Sequence, residues 1–189
     1  DGIYISGQAE IEAEMIKHIP QLNRSKRTEV LSYLDIMIRE NTPASPAHMI
    51  AFRNGILNIK DDSFIPFSPD IVITNRIEWD YNPHAYCELT DKTLDKIACN
   101  DPNIRALLEE AAGFCMFRRN ELGKAFILTG TGSNGKSTYL NMLKHMLGKH
   151  NVSSLDLKKL GDRFSTVMLF GKLANIGDDI SDEFIMDAS

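Results

Sequence analysis

The chain has 189 residues, 43% hydrophobic and 25% charged, with a formal net charge of −5; that is enough apolar material for one domain, or two small ones, with a real core. No run of about eighteen apolar residues occurs, which argues against a membrane-spanning helix. Cys87, Cys99 and Cys115 are odd in number and far apart, which argues against a disulfide framework or a metal cluster and fits free thiols in a reducing compartment. The acidic balance speaks against a nucleic-acid binder at first sight, but it is uneven: residues 124–175 hold 8 basic and 2 acidic side chains.

The opening stretch DGIYISGQAE has neither the basic region nor the apolar core of a signal peptide. It does not start with Met, so a fragment or processed piece is expected. Residues 9–19 place Ile11, Met15, Ile16 and Ile19 on one helical face before Pro20. A second helix is expected from about Lys26 to Glu40 with Val30, Leu34, Met37 and Ile38 inward, broken by NTPASP. The period then changes. MIAFRNGILNIKDDSFIPF alternates and is punctuated by Asn54-Gly55 and Asp61-Asp62, which predicts short strands and hairpin turns. Residues 68–83 continue in extended form and set Trp79 beside Arg76 and Tyr81. That grouping fits a base-stacking site or, more ordinarily, packing of Trp79 against a helix. Helical period returns from Thr90 to about Arg118. Asp101-Pro102 opens a helix there, and Ile104, Leu107, Leu108, Ala111 and Ala112 form its apolar stripe.

The stretch GTGSNGKST, residues 130–138, has the spacing Gly130, four residues, then Gly135-Lys136-Ser137. Glycines let the backbone turn tightly and aim successive N–H groups at an anion. Lys136 would reach the β and γ phosphates and the Ser137 hydroxyl would ligate Mg²⁺, at the positive end of the following helix dipole. The flanks suit this: KAFILTG reads as a buried strand, and Tyr139, Leu140, Leu143, Met146 and Leu147 recur at helical spacing up to Gly148. The pattern points to a nucleoside triphosphate. A phosphate loop also needs an acidic partner at a strand end. Leu173, Ala174 and Ile176 are expected to form that strand, with Asp178-Asp179 at its C-terminal end and Asp182-Glu183 as the rival pair; residues 151–157 are expected to form another strand, and residues 157–164 a short helix or turn.

Four stretches occur in order: FRNGILNI, PFSPDIVITNRIEWDYNP, LLEEAAGFCMFRRNELGKAFILTGTGSNGKST and RFSTVMLFGKLANIGDD. Together they resemble the phage- and plasmid-encoded primase–helicases related to the poxvirus primase–helicase, with a superfamily III motor. Asn134 before Gly135-Lys136 is that superfamily's own variant of the loop. The resemblance implies an α+β, mostly helical domain over residues 1–120 and, over residues 121–189, the start of an α/β P-loop (AAA+-like) ATPase core. It implies an ATP-dependent DNA helicase of phage or plasmid replication that couples ATP hydrolysis to translocation on single-stranded or forked DNA, as a homo-hexamer, in the bacterial host cytoplasm. A primase domain or other replication proteins are the implied partners, with no membrane involved. Carried over to this chain, Gly130, Thr131, Gly132, Ser133, Asn134, Gly135, Lys136, Ser137 and Thr138 bind ATP. Ser137 and Asp178 hold Mg²⁺, Lys136 is catalytic, and Asp179, where the family often has Glu, orients the attacking water. Arg118, Arg119 and Arg163 do not match the arginine-finger position. The DNA-contacting hairpin, the sensor and the arginine finger are expected beyond Ser189, so this piece alone is expected to turn over ATP slowly or not at all. Another P-loop ATPase, such as a helicase loader or initiator, and a non-catalytic docking module are the alternatives.

Overall fold

Asn23 starts the second helix by accepting the Lys26 N–H on its Oδ1 at 3.0 Å. In the computed structural model, which describes residues 2–5, 7–38 and 43–177, the chain divides into two units. The smaller comprises residues 1–45 and 67–74, and the larger residues 46–66 and 75–189.

In the smaller unit, α1 (Gln8–His18) and α2 (Arg24–Met37) are tied by Arg27, which reaches Glu12 at 3.0 Å and the Leu22 carbonyl at 2.8 Å. Tyr4 and Ser45 donate their backbone N–H groups to Ile73 and Val72 of the extended segment, and Ile73 is fully buried. The apolar residues expected to face inward are not covered. Ile11, Ile16, Val30, Leu34, Met37 and Ile38 are exposed, and neither helix buries a residue. Two short helices and one extended segment offer too little surface to cover both stripes.

The larger unit opens with an antiparallel meander of β1 (Met49–Phe52), β2 (Gly55–Asn58) and β3 (Ser63–Ile65). Phe52 pairs with Gly55, so Arg53 and Asn54 make the turn. Gly55 is needed there, because a Cβ would lie 2.7 Å from the Phe64 ring. The turn side chains staple the following segment. Asn54 accepts the Tyr81 N–H at 2.8 Å and donates to its carbonyl at 3.1 Å. Arg53 grips Asp80 with two bonds of 2.9 and 2.7 Å. Residues around Ile77 thus run parallel to β1.

Helices α3 (Glu88–Ile97) and α4 (Pro102–Met116) are joined by a tight link in which Cys99 and Asn100 take positive φ. Asp101 caps α4 by accepting the Asn103 N–H at 2.8 Å. Arg105 of α4 binds Asp95 at 2.6 Å and Glu109 at 2.8 Å and also pairs with Asp91. The Arg105 guanidinium holds the Asp91 carboxyl below the usual carboxylate range, chiefly through that hydrogen bond.

Helix α5 (Lys136–Leu147) packs Tyr139, Leu143 and Leu147 into a core with Ala98, Leu108 and Ile176. At its end the side-chain amide of Asn151, itself buried, donates to the Leu147 and Arg76 carbonyls at 2.8 Å each. The Asn151 carbonyl accepts the Leu173 N–H at 2.7 Å. This leads into β4 (Val152–Ser153), which pairs in parallel with β5 (Ala174–Asn175). The strands expected over 151–157 and 173–176 are therefore present but short. Leu157–Gly161 forms a 3₁₀ turn, as the short helix or turn expected there allowed.

The strand expected over residues 124–130 does not form, and a full α/β core is not assembled among the described residues. Phe126 and Ile127 are exposed, and β4 and β5 are hydrogen-bonded only to one another. An apolar run becomes a strand only beside a ladder partner, and no described residue supplies one here.

Two outcomes follow for stability. Asn151→Ala leaves two carbonyls without their buried donor, so urea unfolding should show a loss of about 2 kcal/mol; an unchanged midpoint would show that the amide is dispensable. Because the folded pKa of Asp91 is depressed, its contribution is fully present above its unfolded value of about 3.9 and is lost as pH falls through the folded value. Arg105→Met should therefore lower the urea midpoint at pH 7, and the gap from the parent should narrow progressively as pH falls below the unfolded value. A gap that persisted in acid would contradict the ion-pair account.

Candidate functional site

The segment from Gly130 to Thr138 forms a loop that feeds directly into α5. Ser133 and Gly135 both take left-handed backbone, at φ 59° and 88°. Gly135 is the residue before the helix, and it is confined: a Cβ there would stand 2.7 Å from Ile97 Cγ1, at the end of α3. Glycine therefore meets two needs at once, a positive φ and a close approach of helix to loop. Gly130 also takes a positive φ, and the Asn134 side-chain amide lies against it.

Lys136 folds its ammonium back over this loop. Its Nζ donates to the carbonyls of Gly130 and Thr131 at 3.0 and 3.2 Å, and to Asn134 Oδ1 at 2.9 Å. The first hydrogen bond of α5 runs from the Tyr139 N–H to the Gly135 carbonyl. The helix itself thus gives no acceptor to the N–H groups of Lys136, Ser137 and Thr138. One cation, three N–H donors and the positive end of a helix dipole converge, which is a setting for a multiply charged anion. The residues named from sequence as phosphate-binding, Gly130 to Thr138, are brought together. Asp178 and Asp179, and the rival Asp182 and Glu183, lie outside the described residues.

What lies just before those acids is well defined. Asn175, in β5, accepts the Leu155 N–H at 2.7 Å and the Ser153 hydroxyl at 2.9 Å, and its amide donates to the Leu155 carbonyl at 2.9 Å. The side chain prolongs the β4–β5 pairing. In the sequence it reads as a polar interruption of an apolar run, and its role is visible only once β4 lies alongside. Ile97, which seats Gly135, gives no sequence signal at all. The Tyr139 hydroxyl, donating to the Leu108 carbonyl at 2.6 Å, fixes α5 on α4. Burial, with Cys115 adding to it, pushes that hydroxyl's pKa up to about 12, so it stays a donor throughout the physiological range.

The aromatic grouping around Trp79 does not gather into a stacking platform. Tyr81 packs on Phe52 and Phe64 with ring centroids 5.2 Å apart in each case, and Arg76 pairs with Glu78 at 2.9 Å. Trp79 gives its Nε1–H to the His145 carbonyl of α5 at 2.9 Å while its ring stays over half exposed. Among the described residues no cluster of His, Cys, Asp or Glu could hold a metal ion. No described helix is long and apolar enough to cross a membrane.

Against known proteins, residues 128–189 match a family described only as of unknown function. A protein of Acanthamoeba polyphaga mimivirus named "Putative helicase" is 27% identical over 104 residues, which is 53% of this chain and 11% of that protein. The chain thus spans only about a ninth of the length of that relative. Residues 4–99, just over half of the chain, match the family described as D5 N terminal like. The chain belongs to the D5 N terminal like family.

Proposed function

We propose that this chain is part of an ATP-dependent DNA helicase in which residues 130–138 hold the triphosphate. The observation that carries the reading is a loop with left-handed Ser133 and Gly135 that leads into the N-terminus of α5, with the Lys136 ammonium folded back over it. The loop fits the group: Gly130 and Gly135 both take positive φ, Gly135 has no room for a Cβ beside Ile97, and the N–H groups at the start of α5 suit oxygen anions. Lys136 neutralises charge on the β and γ phosphates, the Ser137 hydroxyl and Asp178 hold Mg²⁺, and Asp179 orients water. ATP with Mg²⁺ supplies a phosphoryl group whose loss is strongly downhill.

The β4–β5 pair supports the acidic half of this reading. It is parallel, as P-loop sheets are, and β5 ends two residues before Gly177 and the Asp178-Asp179 pair. Ligands of such sheets bind at the C-terminal ends of strands. The family match and the helicase-named relative favour a replicative motor over a loader or initiator. In this reading the energy moves the protein, as a homo-hexameric ring, along single-stranded DNA.

The test is ATP hydrolysis by the longest obtainable form of the protein, with and without single-stranded DNA, beside Lys136→Ala. The expected result is turnover that rises with DNA and falls about a hundredfold or more in the variant, the scale of losing a cation that stabilises the transferring phosphoryl group. Turnover indifferent to DNA would replace the motor by another P-loop ATPase. Turnover unaffected by Lys136→Ala would remove the site from residues 130–138.

A further inference from the structure

Helices α3 and α5 meet where Ile97 lies against Gly135. Ile97, the last residue of α3, is the side chain a Cβ on Gly135 would strike. One turn back along α3 stands Leu94 and a further turn Thr90; one turn forward along α5 stands Thr138 and a further turn Met142. These four, with Asn141 and with Ala112 of α4, line a groove of about 600 Å³. Thr138 belongs both to the loop's row of N–H donors and to the groove wall, so the two are continuous.

The groove is the size of a small-molecule site, roughly 300–1,000 Å³. Its surface is mostly carbon, and its polar side chains are Thr90, Glu109, Thr138, Asn141 and His145. The lining follows α5 from Thr138 to Met146, a rise of about 12 Å, and the half nearest the loop, from Thr138 to Met142, spans about 6 Å, a length suited to a flat heterocycle. A wall of Leu and Met accepts aromatic faces, and the methionine sulfur is polarizable enough to favour them. A side-chain amide can pair with the donor–acceptor edge of adenine.

We propose that the groove between α3 and α5 seats the purine base of the nucleotide, with Asn141 reading its edge and Leu94 and Met142 supplying its apolar walls. The inference rests on the reading of residues 130–138 as the triphosphate site. It makes α3, which belongs to the residues matched by the D5 N terminal like family, one side of the nucleotide pocket.

Inorganic tripolyphosphate carries the phosphates without the base, so comparing it with ATP separates the two sites. Calorimetric titration of the chain in Mg²⁺ should give ATP a Kd at least about tenfold below that of tripolyphosphate. Met142→Trp, which fills the groove, should bring ATP to the tripolyphosphate value and leave tripolyphosphate binding unchanged, which also shows that the variant is folded. Asn141→Leu should narrow the preference for ATP over GTP. ATP binding as tight in Met142→Trp as in the parent would overturn the proposal, as would equal affinities for ATP and tripolyphosphate in the parent. If neither ligand binds the parent, the phosphate-site reading fails and this proposal falls with it.

Discussion

Helix α5 is held at three points, and the larger unit is arranged around them. At its start, Ile97 bears on Gly135, where only a residue without a Cβ fits. One turn in, the buried Tyr139 hydroxyl bonds the Leu108 carbonyl of α4. At its end, Asn151 takes the Leu147 carbonyl and passes the chain into β4. In the proposed reading the loop of residues 130–138 would work by presenting N–H groups that do not reorganise when an anion arrives. Fixing the helix on both sides of Tyr139 is what gives the loop a fixed base, although its own residues are largely exposed.

The constraint has a consequence for how the chain is divided. Helices α3 and α4 precede residue 120, yet they pack on α5 within one unit. Residues 46–66 and 75–81 join them through β1, whose Ile50 and Phe52 cluster with Ile77 and touch Met116 and Leu173. The residues matched to the D5 N terminal like family thus contribute α3, whose Ile97 lies against Gly135 in the loop of residues 130–138. Residues 1–45 and 67–74 form their own unit with uncovered apolar helix faces.

Much of this was legible in the sequence wherever a local rule decides the outcome. The hairpin signalled by Asn54-Gly55, with its turn one residue earlier at Arg53-Asn54, the Asp101-Pro102 helix start, the stripe of α5 and its Gly148 stop all depend on neighbours a few residues away, and all form. The left-handed turn at Gly135 just before α5 was legible too, because the glycine spacing marks it in the sequence. What sequence could not give depends on distant partners. The apolar run 124–130 has strand composition but no ladder beside it. Asn175 looked like a break and is a bridge to Leu155, twenty residues away. The inward faces assigned to α1 and α2 need more covering surface than their own unit offers. The acids Asp178 and Asp179 fall outside the described residues, so the acidic half of the site rests on where β5 leads.

The central claim is that residues 130–138 wrap a triphosphate. Amide hydrogen exchange measures this at the groups concerned, by comparing the chain alone with the chain in ATP and Mg²⁺. The account predicts that exchange slows at the N–H groups from Gly132 to Thr138, and that the slowing disappears in Lys136→Ala while the core of α5 stays protected. Unchanged exchange across residues 130–138 in a chain whose α5 remains protected would contradict it.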